Sequence, residues 1–338
     1  MADVRIGGQA VIEGVMMKNK EKYAIAVRKP DKDIEVKIET YKPAADKGIF
    51  FRLPIVRGVF NFVESLVIGV KTLTYSASFY DDEEDSGKKA DKKKDSRNSS
   101  DKTASDKDKK SSSKENSDSI MLFFTVAFSI VLAVGLFMLL PAFLVSLLDK
   151  YISSHIVLGL IEGVIRLAIF LLYVFLISRM EDIKRTFMYH GAEHKSINCL
   201  EAGNELTVEN VMKASRFHKR CGTSFLFIVM IVSILVFMCI DSRTLWLRLL
   251  LRVLLVPVIA GISYEFIRYA GNHNNVCANV LSKPGLWVQR LTTIEPTPDM
   301  AEVAIKAVEG VFDWKEYLEN KGKLYFTGKR MKKMYNFK

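Results

Sequence analysis

Four long apolar runs dominate the pattern of hydrophobic and polar positions. Residues 119–148 contain no charged side chain, more than the roughly 20 residues that span a bilayer. This run predicts a first transmembrane helix, with Pro141 as a candidate kink. Residues 156–178 predict a second. It carries Glu162 and Arg166 at i and i+4, a spacing at which the two can pair on one face. Such charges should face the bundle or lie near an interface, and a structural ion pair fits them better than a transport path. Residues 223–240 and 245–264 predict the third and fourth spans.

Elsewhere the period changes. Ile34, Val36 and Ile38 alternate with Glu35, Lys37 and Glu39, the two-residue period of a strand. Tyr23–Val27 is a plausible partner, and Pro30–Asp33 between them has turn chemistry, so a hairpin is expected. Gly7, Gly8 and Gly14 flank an earlier short strand over Gln9–Glu13. Glycines there either loosen a loop or let the backbone approach something closely. Residues 1–47 therefore form a small β-rich segment.

Residues 48–80 are apolar but interrupted. Arg57, Asn61, Glu64, Ser65, Lys71 and Thr72 make one polar stripe on a helix, and Leu66, Val67, Val70 and Leu73 lie away from it. That suits an amphipathic helix on the bilayer surface or against a bundle. Thr297 and Pro298 read as an N-cap and first helical position. Met300, Val303, Ala304, Ala307, Val308 and Val311 then follow at helical spacing, an apolar face that needs a partner surface. Pro284–Trp287 reads as a turn with an interfacial aromatic.

Composition agrees with a membrane protein. The chain is 49% hydrophobic, with a net charge of +11. Residues 81–118 hold 12 acidic and 11 basic residues and no large apolar one. That stretch cannot bury a core and reads as a disordered linker. The positive excess lies instead around residues 179–222 and in the basic tail, Lys329–Lys333. Basic residues favour cytoplasmic loops, so both termini, the loop 179–222 and the region 265–338 are placed in the cytoplasm. The tail's first candidate partner is the anionic lipid bilayer; RNA is the second. No basic start with an apolar h-region suggests a signal peptide. The four cysteines are scattered, unlike a disulfide framework. No Walker motif, G-x-G-x-x-G or internal repeat occurs, which leaves nucleotide binding without a basis.

The chemistry concentrates in Tyr189–Lys195. Two of the five histidines, His190 and His194, stand four apart with Glu193 between them. On a helix they share a face, in an H-x-x-E-H pattern, the inverted form of a zinc-protease signature. His218 and Cys221 follow in the same loop. Zinc binds imidazole, thiolate and carboxylate, usually with four ligands. His190, His194, His218 and Cys221 would close a structural shell. Alternatively, three ligands leave one position to water, with Glu193 as general base and Glu265 as a candidate third ligand. If the second helix ran on unbroken, His194 would stand about 24 Å beyond Ser178. A break is therefore required, and Gly191 is a candidate for it.

The chain resembles the YqhQ-like (DUF1385) family of bacterial membrane proteins. The similarity lies in Gly7–Met17, Leu53–Gly58, Tyr189–Lys195, His218–Phe225, Pro284–Leu286 and Gln289–Thr293, and it covers nearly everything outside the linker. It implies a mainly α, multi-pass inner-membrane protein carrying the label of a predicted metal-dependent enzyme. Two functions from different classes are expected to compete. One is a zinc-dependent hydrolase; the other is a non-enzymatic scaffold for a protein or ribonucleoprotein partner.

Overall fold

The computed structural model describes residues 6–43, 48–92, 121, 124–148, 150–240, 245–273 and 275–320. It is mainly helical, with a small N-terminal antiparallel sheet. The strands are β1 (Ile6–Val11), β2 (Gly14–Asn19), β3 (Lys22–Arg28) and β4 (Ile34–Thr40). The helices are α1 (Val56–Lys92), α2 (Phe124–Ser146), α3 (His155–Ile177), α4 (Glu181–Ala202), α5 (Val208–Lys213), α6 (Gly222–Met238), α7 (Leu245–Asn272), α8 (Val276–Thr292) and α9 (Pro298–Val311). Among the described residues, three helices are long and apolar enough to cross a membrane: α2, α3 and, within α7, Leu250–Asn272. Helix α6 is apolar throughout but has 17 residues.

The chain divides into two compact units. The smaller comprises residues 82–173 and 234–243. Within it, Phe137 of α2 meets Phe170 and Tyr173 of α3 edge-on, with centroids 6.4 and 5.6 Å apart. Arg166 and Glu162 form the ion pair expected from their spacing, at 2.8 Å and with both side chains 6% exposed. The Arg166 guanidinium also lies over the ring of Phe237, and Gly163 gives Ile234 room to pack.

The larger unit comprises residues 1–81, 174–233 and 244–338. Its sheet has the order β1-β2-β3-β4, each pair antiparallel. The hairpin of β3 and β4 forms as the alternation predicts, in the register Val27↔Glu35 and Ala24↔Ile38. The first strand begins earlier than the expected Gln9–Glu13, and it turns at Ile12 and Glu13 directly into β2. One sheet face carries Val15, Met17 and Ala26 against α4 and α9. The other carries Val11, Met16, Ile25 and Val27 against Ile68 of α1. Because both faces are covered, β2 has no polar alternation.

Helix α9 starts at Pro298 as predicted, and its apolar residues from Met300 to Val308 are buried against the sheet and α4. The face that needed a partner surface finds it within the chain. Helix α1 turns the other way. Gly58 and Ile68 are buried, together with Thr72 and Ser76, while Val63, Leu66, Val67, Val70 and Leu73 are exposed. Its polar groups are paired inward: Arg57 with Glu265, Asn61 with Tyr264, Glu64 with Lys18 and Lys71 with Glu39. Gly58 lies against Gly261, where a Cβ would come within 2.9 Å of backbone atoms of α7. The helix continues to Lys92, so the expected linker does not begin at residue 81. Residues 93–118 and 321–338, with the rest of that linker and the basic tail, lie outside the described residues.

Two further expectations are corrected. Pro284–Trp287 is not a turn but part of α8. Pro284 is exposed there while Gly285 packs on Ser224, so the helix tolerates proline on its outer side. The chain breaks at residues 178–180, between α3 and α4, and Gly191 is helical.

Candidate metal centre

Helix α4 carries the H-x-x-E-H pattern. Glu181 and Asp182 stand in its first turn, where acidic side chains favour a helix N-terminus. Gly203, with φ of 85°, closes the other end and donates to the carbonyls of Cys199 and Leu200, a left-handed cap that glycine adopts without strain. Tyr189, residues 191–197, Cys199 and Leu200 are buried between sheet, α9 and loop. Gly191 serves close approach: a Cβ there would lie 2.1 Å from the carbonyl oxygen of Ile294. Ile294 in turn donates its N–H to Phe187.

His190 and His194 meet edge-on one turn apart, with ring centroids 4.4 Å apart. The Nδ1 of His190 is 2.9 Å from the carbonyl oxygen of Thr292, and that of His194 is 2.6 Å from the carbonyl oxygen of Arg216. A carbonyl only accepts, so each Nδ1 carries a proton, and each Nε2 presents a lone pair when its ring is neutral. Carbonyl contacts of this kind fix the tautomer and ring orientation of metal-binding histidines. Cys221 closes the group, its Sγ 3.2 Å from Nε2 of His190. One ligand atom from each of His190, His194 and Cys221 falls within 4.8 Å of the others, a set that could hold a metal ion.

The electrostatics agree with that grouping. Burial alone would push the Cys221 thiol up, but the two imidazoles outweigh it and hold the thiol well below its ordinary value. Burial likewise opposes charge on His190, yet the Cys221 charge and hydrogen bond raise it to about 9. His194 is raised by the same neighbours against its burial. Cys221 immediately precedes α6, and the N–H of Thr223 donates to Sγ at 3.4 Å, so the helix N-terminus also favours the thiolate.

Around this set lies a cavity of about 100 Å³, whose walls include Gly7, Gly8, Glu193, His218 and Arg220. Glu193 is 4% exposed, its carboxylate 3.8 Å from Nε2 of His190. Gly8 of β1 covers it; a Cβ at Gly8 would come within 2.7 Å of Cγ of Glu193. The expected close approach of backbone at the glycines is thus realised at Gly8. At Gly7 a Cβ would meet nothing within 4 Å.

His218 lines the cavity but is not part of the converging set. Its ring centroid is 5.7 Å from that of His194, and its Nε2 lies 3.5 Å from Glu201. Gln289, fully buried in α8, clamps its backbone. Gln289 accepts from the N–H of His218 at 2.9 Å and donates to its carbonyl at 2.7 Å and to Ser224 at 2.8 Å. Glu265 is not brought to the cluster. Its carboxylate accepts from Nε of Arg57 at 2.6 Å, a fixed counter-charge that engages it on α7. Gln289 and Thr292 lie in a stretch that carries the family resemblance, but the roles of Gln289 and of the carbonyls of Thr292 and Arg216 come from tertiary contact alone.

The protein family described as a protein of unknown function, DUF1385, matches residues 53–314. The chain belongs to the DUF1385 family. His190, Glu193, His194, His218 and Cys221 all lie within that stretch, and Gly8 lies before it. The chain is also 35% identical over 308 residues to the uncharacterized protein YqhQ of Bacillus subtilis strain 168, covering 89% of this chain and 90% of that one. No solved structure matches.

Proposed function

We propose that this DUF1385 protein is a multi-pass bacterial inner-membrane protein with a zinc-dependent hydrolase site on its cytoplasmic side. The observation that carries the proposal is the convergence of His190, His194 and Cys221 beside a cavity faced by Glu193. Three protein ligands with one open position are the pattern of catalytic zinc sites, whereas structural sites are closed by four. The separation of His218 from the three supports the open form. A bound zinc ion would supply Lewis acidity towards water and a carbonyl group. The chain supplies the rest. Thr292 and Arg216 hold the imidazoles, Gly8 shields the carboxylate from bulk water, and Glu193 accepts a proton from the attacking water and returns it to the leaving group.

The membrane arrangement follows from the helices. Helix α6 is about 26 Å long at 1.5 Å per residue, close to the hydrocarbon thickness, and we take it as a fourth crossing. Four crossings would leave both termini on one side, and the bases of the loop 179–222 support the cytoplasm as that side. The exposed apolar face of α1 then lies against lipid. The alternative is a scaffold that docks a protein or ribonucleoprotein. It has less support, because the apolar face of α9 is already occupied by the sheet.

Elemental mass spectrometry on the detergent-purified full chain tests the site. One equivalent of zinc is expected. It should be lost in His190→Ala, His194→Ala and Cys221→Ala, and retained in His218→Ala. Metal-free wild-type protein would end the hydrolase reading; loss in all four variants would turn it into a structural site.

A further inference from the structure

We propose that the free edge of β1 docks an extended polypeptide, which makes a peptide bond the substrate of the site; this rests on the hydrolase reading above. Strand β1 is an edge of the sheet, pairing only with β2. The loop of Ile12 and Glu13 joins Val11 to its partner Gly14, so those two residues form the first hydrogen-bonded pair of a two-residue hairpin. Bonded pairs then alternate: Val11, Gln9 and Gly7 direct their N–H and C=O groups to β2, and Ala10 and Gly8 direct theirs outward. The β2–β3 ladder agrees. Its own two-residue turn makes Asn19, Met17 and Val15 face β3, which leaves Gly14, Met16 and Lys18 to face β1. Among the described residues, the backbone groups of Gly8 and Ala10 have no further hydrogen-bond partner.

Two comparisons say what this edge fits. The opposite edge, β4, carries Glu35, Lys37 and Glu39, and charges on an edge strand discourage pairing with another chain. Strand β1, Ile-Gly-Gly-Gln-Ala-Val, has none. Gly7 and Gly8 are exposed and line the cavity, so no side chain keeps an incoming backbone away. The cavity, at about 100 Å³, holds a reacting group and little more. The remainder of a substrate must lie outside it, and the open ladder of β1 begins at its wall. Main-chain pairing of this kind gives affinity without demanding a particular sequence.

The chemistry balances with water alone. Water adds to the carbonyl carbon of the bound peptide, and its proton passes to Glu193. The C–N bond breaks as that proton moves to the departing nitrogen. The products are a carboxylic acid and an amine.

The test uses the full chain in nanodiscs and three probes. These are acetohydroxamate, a tripeptide hydroxamate, and the same tripeptide with N-methylated amides. Binding is read by calorimetry on wild type and on Ala10→Pro, which removes an outward N–H and keeps the β1–β2 bonds. The tripeptide is expected to bind at least tenfold more tightly than acetohydroxamate. N-methylation and Ala10→Pro should each remove that advantage and leave acetohydroxamate binding unchanged. Equal binding of all three probes would overturn the edge proposal while the metal reading stands. So would a wild-type dimer that Ala10→Pro dissociates, because the edge would then belong to a second copy. If no probe binds, the metal reading fails and the proposal fails with it. The N-methylated probe decides the matter even if Ala10→Pro does not fold.

Discussion

Helix α1 up to Asp81 and helix α9 belong to the same unit, and both are amphipathic, but in opposite senses. Helix α9 buries Met300, Val303, Ala304, Ala307 and Val308 and leaves Glu302, Lys306 and Glu309 outside. Helix α1 pairs Arg57, Asn61, Glu64 and Lys71 with protein groups and leaves Leu66, Val67, Val70 and Leu73 outside. The first is the ordinary arrangement for a helix bordered by water. The second is the arrangement expected where the surroundings are as apolar as leucine. On the membrane arrangement proposed above, the direction of amphipathicity separates a helix bordered by water from one that faces lipid.

The sharpest test of the contrast is a charge on each buried or outward apolar face. Ala304→Asp places a carboxylate in the fully buried face of α9 and should cost about 4 kcal/mol or more. The cooperative thermal transition of the purified chain should disappear; a transition within a few degrees of wild type would break the assignment of that face. Arg57→Ala leaves Glu265 without its main partner and should cost about 3 kcal/mol. Arg57→Ala with Glu265→Ala should recover much of it, measured by denaturant unfolding in nanodiscs. If the double variant is no better than the single, the inward pairing is not what holds α1. Val67→Asp should cost about 2 kcal/mol in nanodiscs if lipid covers α1. A change below about 0.5 kcal/mol would mean that water does.

The smallest effect concerns Glu39, where α1 meets β4. Lys71, then Tyr23 and Lys37, hold its carboxyl at about 2, below the ordinary 4.5. A depressed folded-state value contributes stability that is complete above the ordinary value and is lost as pH falls through about 2. Lys71 is 59% exposed, so solvent screens the pair and its contribution is small. Wild type should lose slightly more stability than Glu39→Gln between pH 5 and 2. Parallel curves would show that Lys71 contributes nothing to the packing of α1.

Local periodicity carried much of the architecture. The alternation at Ile34–Glu39 gave β4, the spacing from Met300 to Val311 gave α9, and uninterrupted apolar runs gave the long helices. His190 and His194 were legible because helical spacing puts them on one face, and Cys221 because its residue type can join such a pair. What escaped depended on a second element. Strand β2 hides its period because both faces are covered. The involvement of Glu265 with Arg57 joins positions far apart in the chain. His218 shares a loop with Cys221 but turns towards Glu201, and no spacing rule distinguishes those outcomes. Gln289 acts on His218 through a contact that only tertiary structure creates.

Gly8 and Gln9 are consecutive, and a strand sends consecutive residues to opposite faces. Gly8 lies against Glu193, and the side chain of Gln9 lies where a Cβ on Gly69 of α1 would be, within 2.7 Å. One peptide unit thus separates α1 from the carboxylate at the cavity. The fit is close at both points, since a Cβ at Gly8 or at Gly69 would come within 2.7 Å of its neighbour. A Cβ at Gly8 or at Gly69 would therefore press on the same strand from opposite faces.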